Sequence, residues 1–267
     1  MQDKLYGGRF EAGQDQYFEK FSESLHFDKL LIEADLTGSK AFARALESVG
    51  ILTAEERQTI VAAFDAIAAE CSAPNYFDGA TDEDVHSFVI RKLKEKAGPV
   101  ADKIHTGRSR NEQVSLDTRL LLRTTIEATI DATKALMAAL LDLAQANPHA
   151  VIPGYTHLRR AQAVLWPHYL LAYFEMFARD VERLRQAHAR TNVLPLGSGA
   201  LAGSAFPFDR PAIAKDLGFA AITRNSMDVS ADRDFALDYM HAANLVMLHL
   251  SRLSEDWILY SLSLIHI

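Results

Sequence analysis

Between Ser109 and Asn147 the chain contains neither glycine nor proline. An unbroken stretch of helix-forming residues this long predicts one helix of roughly 55–60 Å, at about 1.5 Å of rise per residue. A rod of that length needs neighbours to bury its apolar faces. Along it Leu122, Ile126, Thr129, Thr133, Leu136, Leu140 and Leu143 recur at alternating spacings of four and three, the seam of a coiled coil or helical bundle. A second stripe, Val114, Leu121, Ala128, Ala135 and Ala139, is small-sided and offers another flank for packing.

The same stepping returns in Leu170, Phe174, Phe177, Val181 and Leu184, and again in Ala236, Met240, Ala243, Met247, Leu250 and Trp257. Pro167 is expected to kink the first turns of the former helix. Upstream lie shorter helical patterns. Residues 7–10, Gly-Gly-Arg-Phe, read as a turn; residues 34–49 read as a helix stopped by Gly50. Thr53 with Glu56 forms a capping box that opens a helix to about Glu70, and acidic residues crowd a further helix start before His86. That helix ends before Gly98 and Pro99. Strand signals are scarce. The expected fold is mainly α: an N-terminal helical domain over residues 1–108, then a long-helix bundle over residues 109–261. Three long helices with several apolar faces predict self-association.

Composition narrows the function. At 267 residues, 49% hydrophobic and 24% charged, the chain has material for a real core. Its formal net charge of -7 makes a nucleic-acid surface improbable, the one tight basic pair being Arg108 and Arg110. The single cysteine, Cys71, excludes an internal disulfide and reads as a small hydrophobe in an alanine-rich helix. No signal peptide is recognised, and no apolar run of membrane-spanning length occurs, so the expectation is a cytoplasmic protein without a membrane span.

Residues 105–113, His-Thr-Gly-Arg-Ser-Arg-Asn-Glu-Gln, place cations, amides and hydroxyls in a glycine turn just before the long helix. Ser109 and Glu112 fit a capping box, so the unpaired N–H groups and positive dipole end of that helix join Arg108 and Arg110 as a grip for a carboxylate or phosphate. An ordinary capped helix with two solvated arginines is the alternative. Other polar groups gather at expected helix ends: Asp84 with His86, and residues 154–157, Gly-Tyr-Thr-His. No metal-ligand spacing and no G-x-S-x-G elbow is present. Residues 195–203 contain a G-x-G, but no strand precedes it in a βαβ unit, so a flexible interhelical loop is expected there. What remains is an anion site with hydroxyls and histidines, suited to proton transfer on a polycarboxylate.

In order along the chain stand Gly-Gly-Arg-Phe at 7–10, Glu-Asp-Val-His at 83–86, the segment 105–111, Gly-Tyr-Thr-His-Leu at 154–158, the loop 195–203, Asn-Ser-Met-Asp at 225–228 and Asp-Arg-Asp-Phe at 232–235. This series resembles the argininosuccinate lyases of the fumarase/aspartase superfamily, over nearly the whole chain to Ser261. The resemblance implies a homotetramer with a central helical bundle and active sites assembled from three subunits. It implies cofactor-free, metal-free β-elimination of argininosuccinate to arginine and fumarate. It also assigns roles: His157 as one half of the general acid/base pair; Ser24, Arg110, Asn111 and Thr156 as substrate ligands; Asp84, His86 and Arg108 as supporting groups.

The pattern has departures. Where the family has a glutamate four residues after the histidine of the second motif, this chain has Ile90, which leaves the orientation of His86 open. Arg159 replaces a glutamine common after the fourth motif. The family's mobile loop, with its catalytic serine and lysine, and the remaining bundle helices and C-terminal domain do not occur. Residues 262–267 leave the family pattern and resemble a translated transposon-end adapter, so they are expected to be a non-native tail. The chain is therefore expected to be truncated and inactive alone. Another superfamily lyase, or a structural homologue of the crystallin kind, are the alternative functions.

Overall fold

The computed structural model describes residues 15–265, with side chains through Ser261. The turn expected at residues 7–10 lies outside the described residues. Helices follow in the order α1 (Gln16–Ser22), α2 (Leu25–Asp28), α3 (Ile32–Ser48), α4 (Ala54–Glu70), α5 (Val85–Ala97), α6 (Arg110–Ala146), α7 (Trp166–Thr191), α8 (Arg210–Asp216), α9 (Ser226–Ala231) and α10 (Asp234–Ile265). Two short pairs of strands are added: β1 (Val151–Thr156) with β2 (Arg159–Leu165), antiparallel, and β3 (Val193–Leu194) with β4 (Ala221–Ile222), parallel. The fold is mainly α. Among the described residues, no helix is long and apolar enough to cross a membrane.

Two compact units divide the chain: residues 1–121 with 193–232, and residues 122–192 with 233–267. In the first unit α3, α4 and α5 surround a core of Phe42, Leu46, Phe64, Ile67, Phe88 and Leu93, joined by Leu116 from the start of α6. Each such side chain contributes roughly 1.5–3 kcal/mol by leaving water. The capping box read from sequence is present: the Thr53 N–H donates to Glu56 Oε2 at 3.0 Å and the Glu56 N–H to Thr53 Oγ1 at 3.1 Å. Residues 98–105 form a 3₁₀ helix with Pro99 in its first turn, where a missing N–H costs nothing.

The segment 195–203 is not the flexible loop expected. Pro195, Leu196, Ser198 and Gly199 are buried. Arg210 at the start of α8 clamps it, donating from Nε to the Leu196 carbonyl at 3.0 Å and from Nη1 to the Thr223 carbonyl at 3.0 Å. These bonds satisfy carbonyls just past the ends of the two-residue strands β3 and β4.

The second unit holds the rest of α6, α7, α10 and the β1–β2 hairpin. Ile126 and Ile130 of α6 pack with Val181 and Leu184 of α7 and with Ala242 and Val246 of α10. Nearer the hairpin, Leu140 and Ala144 meet Leu170, Tyr173, Phe177 and Leu253. The seams expected on α6 and α7 thus supply core residues. On α10 the expected stripe is rotated: Ala242, Val246 and Leu253 are buried, while Met240 and Met247 stand 63% and 62% exposed. Both stripes of α10 are apolar, so periodicity could not decide which one faces α7.

The hairpin was not anticipated. Its turn is His157-Leu158, both in the left-handed region at φ 53° and 59°, where hairpins ordinarily use Asn-Gly or Asp-Gly. Lacking those residues, the turn gave no sequence signal. Pro153 and the bulge before Tyr155, where Gly154 approaches the Gln162 carbonyl, further broke the alternation. Pro167 does not kink α7 but stands in its first turn, because the hairpin ends at Leu165 and the helix begins at Trp166.

Candidate active site

The glycine of the 105–109 turn is required by its geometry. Gly107 has φ 72°, and a Cβ there would lie 2.6 Å from Cδ2 of Phe206. Left-handed backbone costs a residue with a side chain about 1–2 kcal/mol, and forcing the Phe206 ring aside adds about 1–3 kcal/mol. Gly107→Ala is therefore expected to destabilise the first unit by several kcal/mol, read as a lower urea midpoint. An unchanged midpoint would show that the turn relaxes freely.

After this turn the backbone enters α6. The Ser109 N–H donates to Glu112 Oε1 at 2.9 Å, the reciprocal half of the expected capping box, while the Asn111 N–H reaches Ser109 Oγ at 3.3 Å. The other oxygen of Glu112 accepts from the N–H groups of Ser198 at 2.8 Å and Gly199 at 3.0 Å. The G-x-G segment is thus an anion-binding nest whose anion is the chain's own carboxylate. Burial raises the Glu112 pKa, opposed by these backbone donors. Glu112 fastens the loop to the turn.

Arg108 and Arg110 diverge. The Arg108 guanidinium lies over the Phe42 ring, 5.0 Å from its centroid, and Nη1 donates to Ser39 Oγ at 3.1 Å. Arg110 instead pairs with Asp84 and reaches Ser87 Oγ at 3.3 Å. Asp84 also caps α5, accepting the Ser87 N–H at 2.8 Å. Ser24 joins this group through the backbone: its N–H donates to the Glu83 carbonyl at 2.8 Å, and its hydroxyl to Asp28 Oδ2 at 2.6 Å. Asp28 in turn accepts the Val85 N–H at 3.0 Å. Ser24, Asp84 and Arg110 are therefore brought together at the starts of α5 and α6, with Asn111 exposed beside them. Thr156 and His157 stand exposed at the hairpin turn of the second unit.

His86 faces the interior, 3% exposed, with Nδ1 2.6 Å from Asp35 Oδ2. Ile90, where a glutamate would have been a polar partner, is simply core. Its absence does not leave His86 unoriented, because Asp35 supplies the carboxylate. Burial alone would raise the Asp35 pKa, but His86, Arg108 and the Ser39 hydroxyl hold it below the usual carboxylate value. His105 meets His86 edge to face at 5.3 Å between ring centroids. Burial, Arg108 and His86 press its pKa down to about 3, so its imidazole is neutral near pH 7.

Sequence reading missed Asp35 and the buried Asp117. A signal was there. Ile32, Asp35, Ser39, Phe42 and Leu46 recur at spacings of three and four and are all buried, so Asp35 occupies a core position of an amphipathic helix. A carboxylate in that register demands a partner. Among the described residues, no group of three or more His, Cys, Asp or Glu is placed to hold a metal ion.

Comparisons with known proteins bear on the family and the fold. A sequence profile of the lyase family matches residues 8–264. The argininosuccinate lyase of Solibacter usitatus (strain Ellin6076) is 68% identical over 261 residues, covering 97% of this chain and 56% of the relative. That of Desulforudis audaxviator (strain MP104C) is 48% identical over 258 residues, again covering 97% of this chain and 56% of the relative. The chain spans about half the length of the curated relatives it matches. Among solved structures, an EDDS lyase variant with bound fumarate is 28% identical, with a TM-score of 0.80 over 92% of this chain and 48% of that one. A fumarate lyase:delta crystallin from Brucella melitensis bound to cobalt, at 17% identity, covers 93% of this chain and 58% of its own, and with a TM-score of 0.73 it shares the fold.

Proposed function

Since the chain belongs to the lyase family, matched over residues 8–264, we propose that it carries part of an argininosuccinate lyase, which splits argininosuccinate into arginine and fumarate without metal or cofactor. The observation that carries this reading is the convergence of Ser24, Asp84 and Arg110 at the start of α6, where backbone N–H groups and the helix dipole favour a carboxylate.

The chemistry follows from charge. A base removes the proton from the carbon beside a carboxylate, and negative charge builds on that carboxylate as the neighbouring C–N bond prepares to break. Donors already aimed at the carboxylate stabilise this state more than the substrate. Asn111, Arg110, Thr156 and Ser24 are assigned to holding the substrate, and His157 to one half of the acid/base pair. Asp84 governs Arg110 by ion pairing. The departing guanidino nitrogen takes a proton, fumarate leaves, and no electron acceptor is needed. The whole enzyme is read as a cytoplasmic homotetramer in which helices such as α6, α7 and α10 build the common bundle.

The test is to extend the chain with the sequence that completes the length of its relatives and to assay fumarate release. Argininosuccinate is expected to be cleaved at an undiminished rate in the presence of a chelator. Turnover of adenylosuccinate or malate in its place would overturn the substrate assignment.

A further inference from the structure

Two carboxylates are buried in the first unit where α3 meets the start of α6. Asp35 and Asp117 are 0% and 2% exposed. Gly38, one turn beyond Asp35 on α3, allows the approach: a Cβ there would stand 2.7 Å from Cδ2 of Leu116 and 3.6 Å from Oδ1 of Asp117. Asp117 is thereby brought against α3 one turn from Asp35, whose charge acts on it. Two ionised carboxylates cannot share a dry site without a counter-charge for each. The groups around them are few. Arg108 is cationic, His105 is neutral near pH 7, Glu112 acts on Arg108 as a further acid, and His86 bonds Asp35.

The donors are divided unequally. Asp35 receives His86 Nδ1 at 2.6 Å and the Ser39 hydroxyl at 3.3 Å, and that hydroxyl accepts from Arg108 at 3.1 Å. Among the described residues, the donor to Asp117 is the Gln113 amide, 3.4 Å from each of its oxygens. A charge is held where donors converge, and a proton where they do not. We propose that Asp35 and Asp117 form a buried carboxylate–carboxylic acid pair in which Asp117 bears the proton, and that Asp35 so charged is the positioning residue for both His86 and Arg108.

The electrostatics agree: burial and the Asp35 charge lift the Asp117 pKa well above its ordinary value, against the pull of Arg108 and Gln113. Asp35 thus ties α3 to α5 through His86, to the 105–109 turn through Ser39 and Arg108, and to α6 through Asp117. With Asp35 ionised, His86 in its neutral form carries its hydrogen on Nδ1, which fixes ring and tautomer together. The consequence for catalysis rests on the lyase reading above; the proton assignment does not.

The experiment uses difference infrared spectroscopy on the chain at neutral pH, comparing it with Asp117→Asn, Asp35→Asn and Glu112→Gln. A C=O stretch of a protonated buried carboxyl is expected, absent in Asp117→Asn and unaffected by Glu112→Gln. Asparagine mimics a protonated carboxyl, so Asp117→Asn is expected to keep the thermal midpoint and the ¹⁵N shifts of the His86 ring close to those of the parent. Asp35→Asn is expected to move the His86 shifts toward a mixture of tautomers. Should Asp35→Asn not fold, the Asp117→Asn arm decides alone. In the extended lyase, Asp35→Asn is expected to lower kcat about 10–100-fold, the weight typical of groups that orient a site's residues, with Asp117→Asn near native. No protonated-carboxyl band, a band surviving in Asp117→Asn, or equal effects of the two asparagine variants on His86 would overturn the pair, whatever the enzyme's substrate proves to be.

Discussion

In the extended lyase, His157→Asn is expected to lower kcat by about 10²–10⁴-fold, the usual weight of a positioned acid or base. Asparagine is the sharper substitution for a structural reason. His157 sits at φ 53° in the hairpin turn, followed by Leu158 at 59°. Asparagine enters the left-handed region with little strain, whereas alanine there costs about 1–2 kcal/mol and would loosen the turn that presents Thr156. A loss shared by His157→Asn and His157→Ala then belongs to the imidazole, and any additional loss in His157→Ala to the turn. The readout is kcat with argininosuccinate saturating, since proton transfer is a property of the bound complex. Near-native turnover by His157→Asn would show that the acid/base role belongs to another residue.

The left-handed turn also shows where sequence stopped being informative. Long-range periodicity announced α6, because 37 helical residues without glycine or proline leave little choice. Capping boxes announced the starts of α4 and α6, and crowded acidic residues that of α5, where Asp84 proves to be the cap; all act on backbone groups within three residues. These are local effects, and local effects are written in short stretches. The hairpin depends instead on a histidine and a leucine tolerating a strained conformation. The rotation of α10 depends on which of two apolar stripes meets Val181 and Leu184, a choice made by tertiary packing.

The candidate site divides in the same way. Arg108 and Arg110 are two residues apart and look alike in sequence, yet one lies over Phe42 beside buried acids and the other pairs with Asp84. Only the partners Ser39, Phe42 and Asp35 on α3, far off along the chain, separate the two. Glu112 could be read as a helix cap but not as the anchor of Ser198 and Gly199. Ser24, Asp84, Asn111, Thr156 and His157 stand in or beside motifs that resemble the family's, whereas the buried Asp35 and Asp117 belong to none of those motifs.

The chain by itself is expected to release no fumarate from argininosuccinate above the level of its His157→Asn variant. On the proposed reading the second half of the acid/base pair is a serine on a loop that this sequence does not include, so the elimination lacks the group that would complete it. Its solution behaviour is expected to match. On α10, Leu237, Met240, Met247 and Leu248 are 62%, 63%, 62% and 59% exposed, and Ala128, Ala135 and Ala139 of α6 are exposed as well. Apolar surface of this extent on two long helices promotes association, so the apparent mass should rise with concentration, and Met240→Lys with Met247→Lys should reduce that rise. Adding a second polypeptide with the remaining sequence of a relative is then expected to restore turnover and to give one defined mass, because bundle helices and loop arrive together. Turnover by the lone chain, absent in the His157→Asn control, would mean that the missing serine is dispensable and that the proton is taken by a group already present.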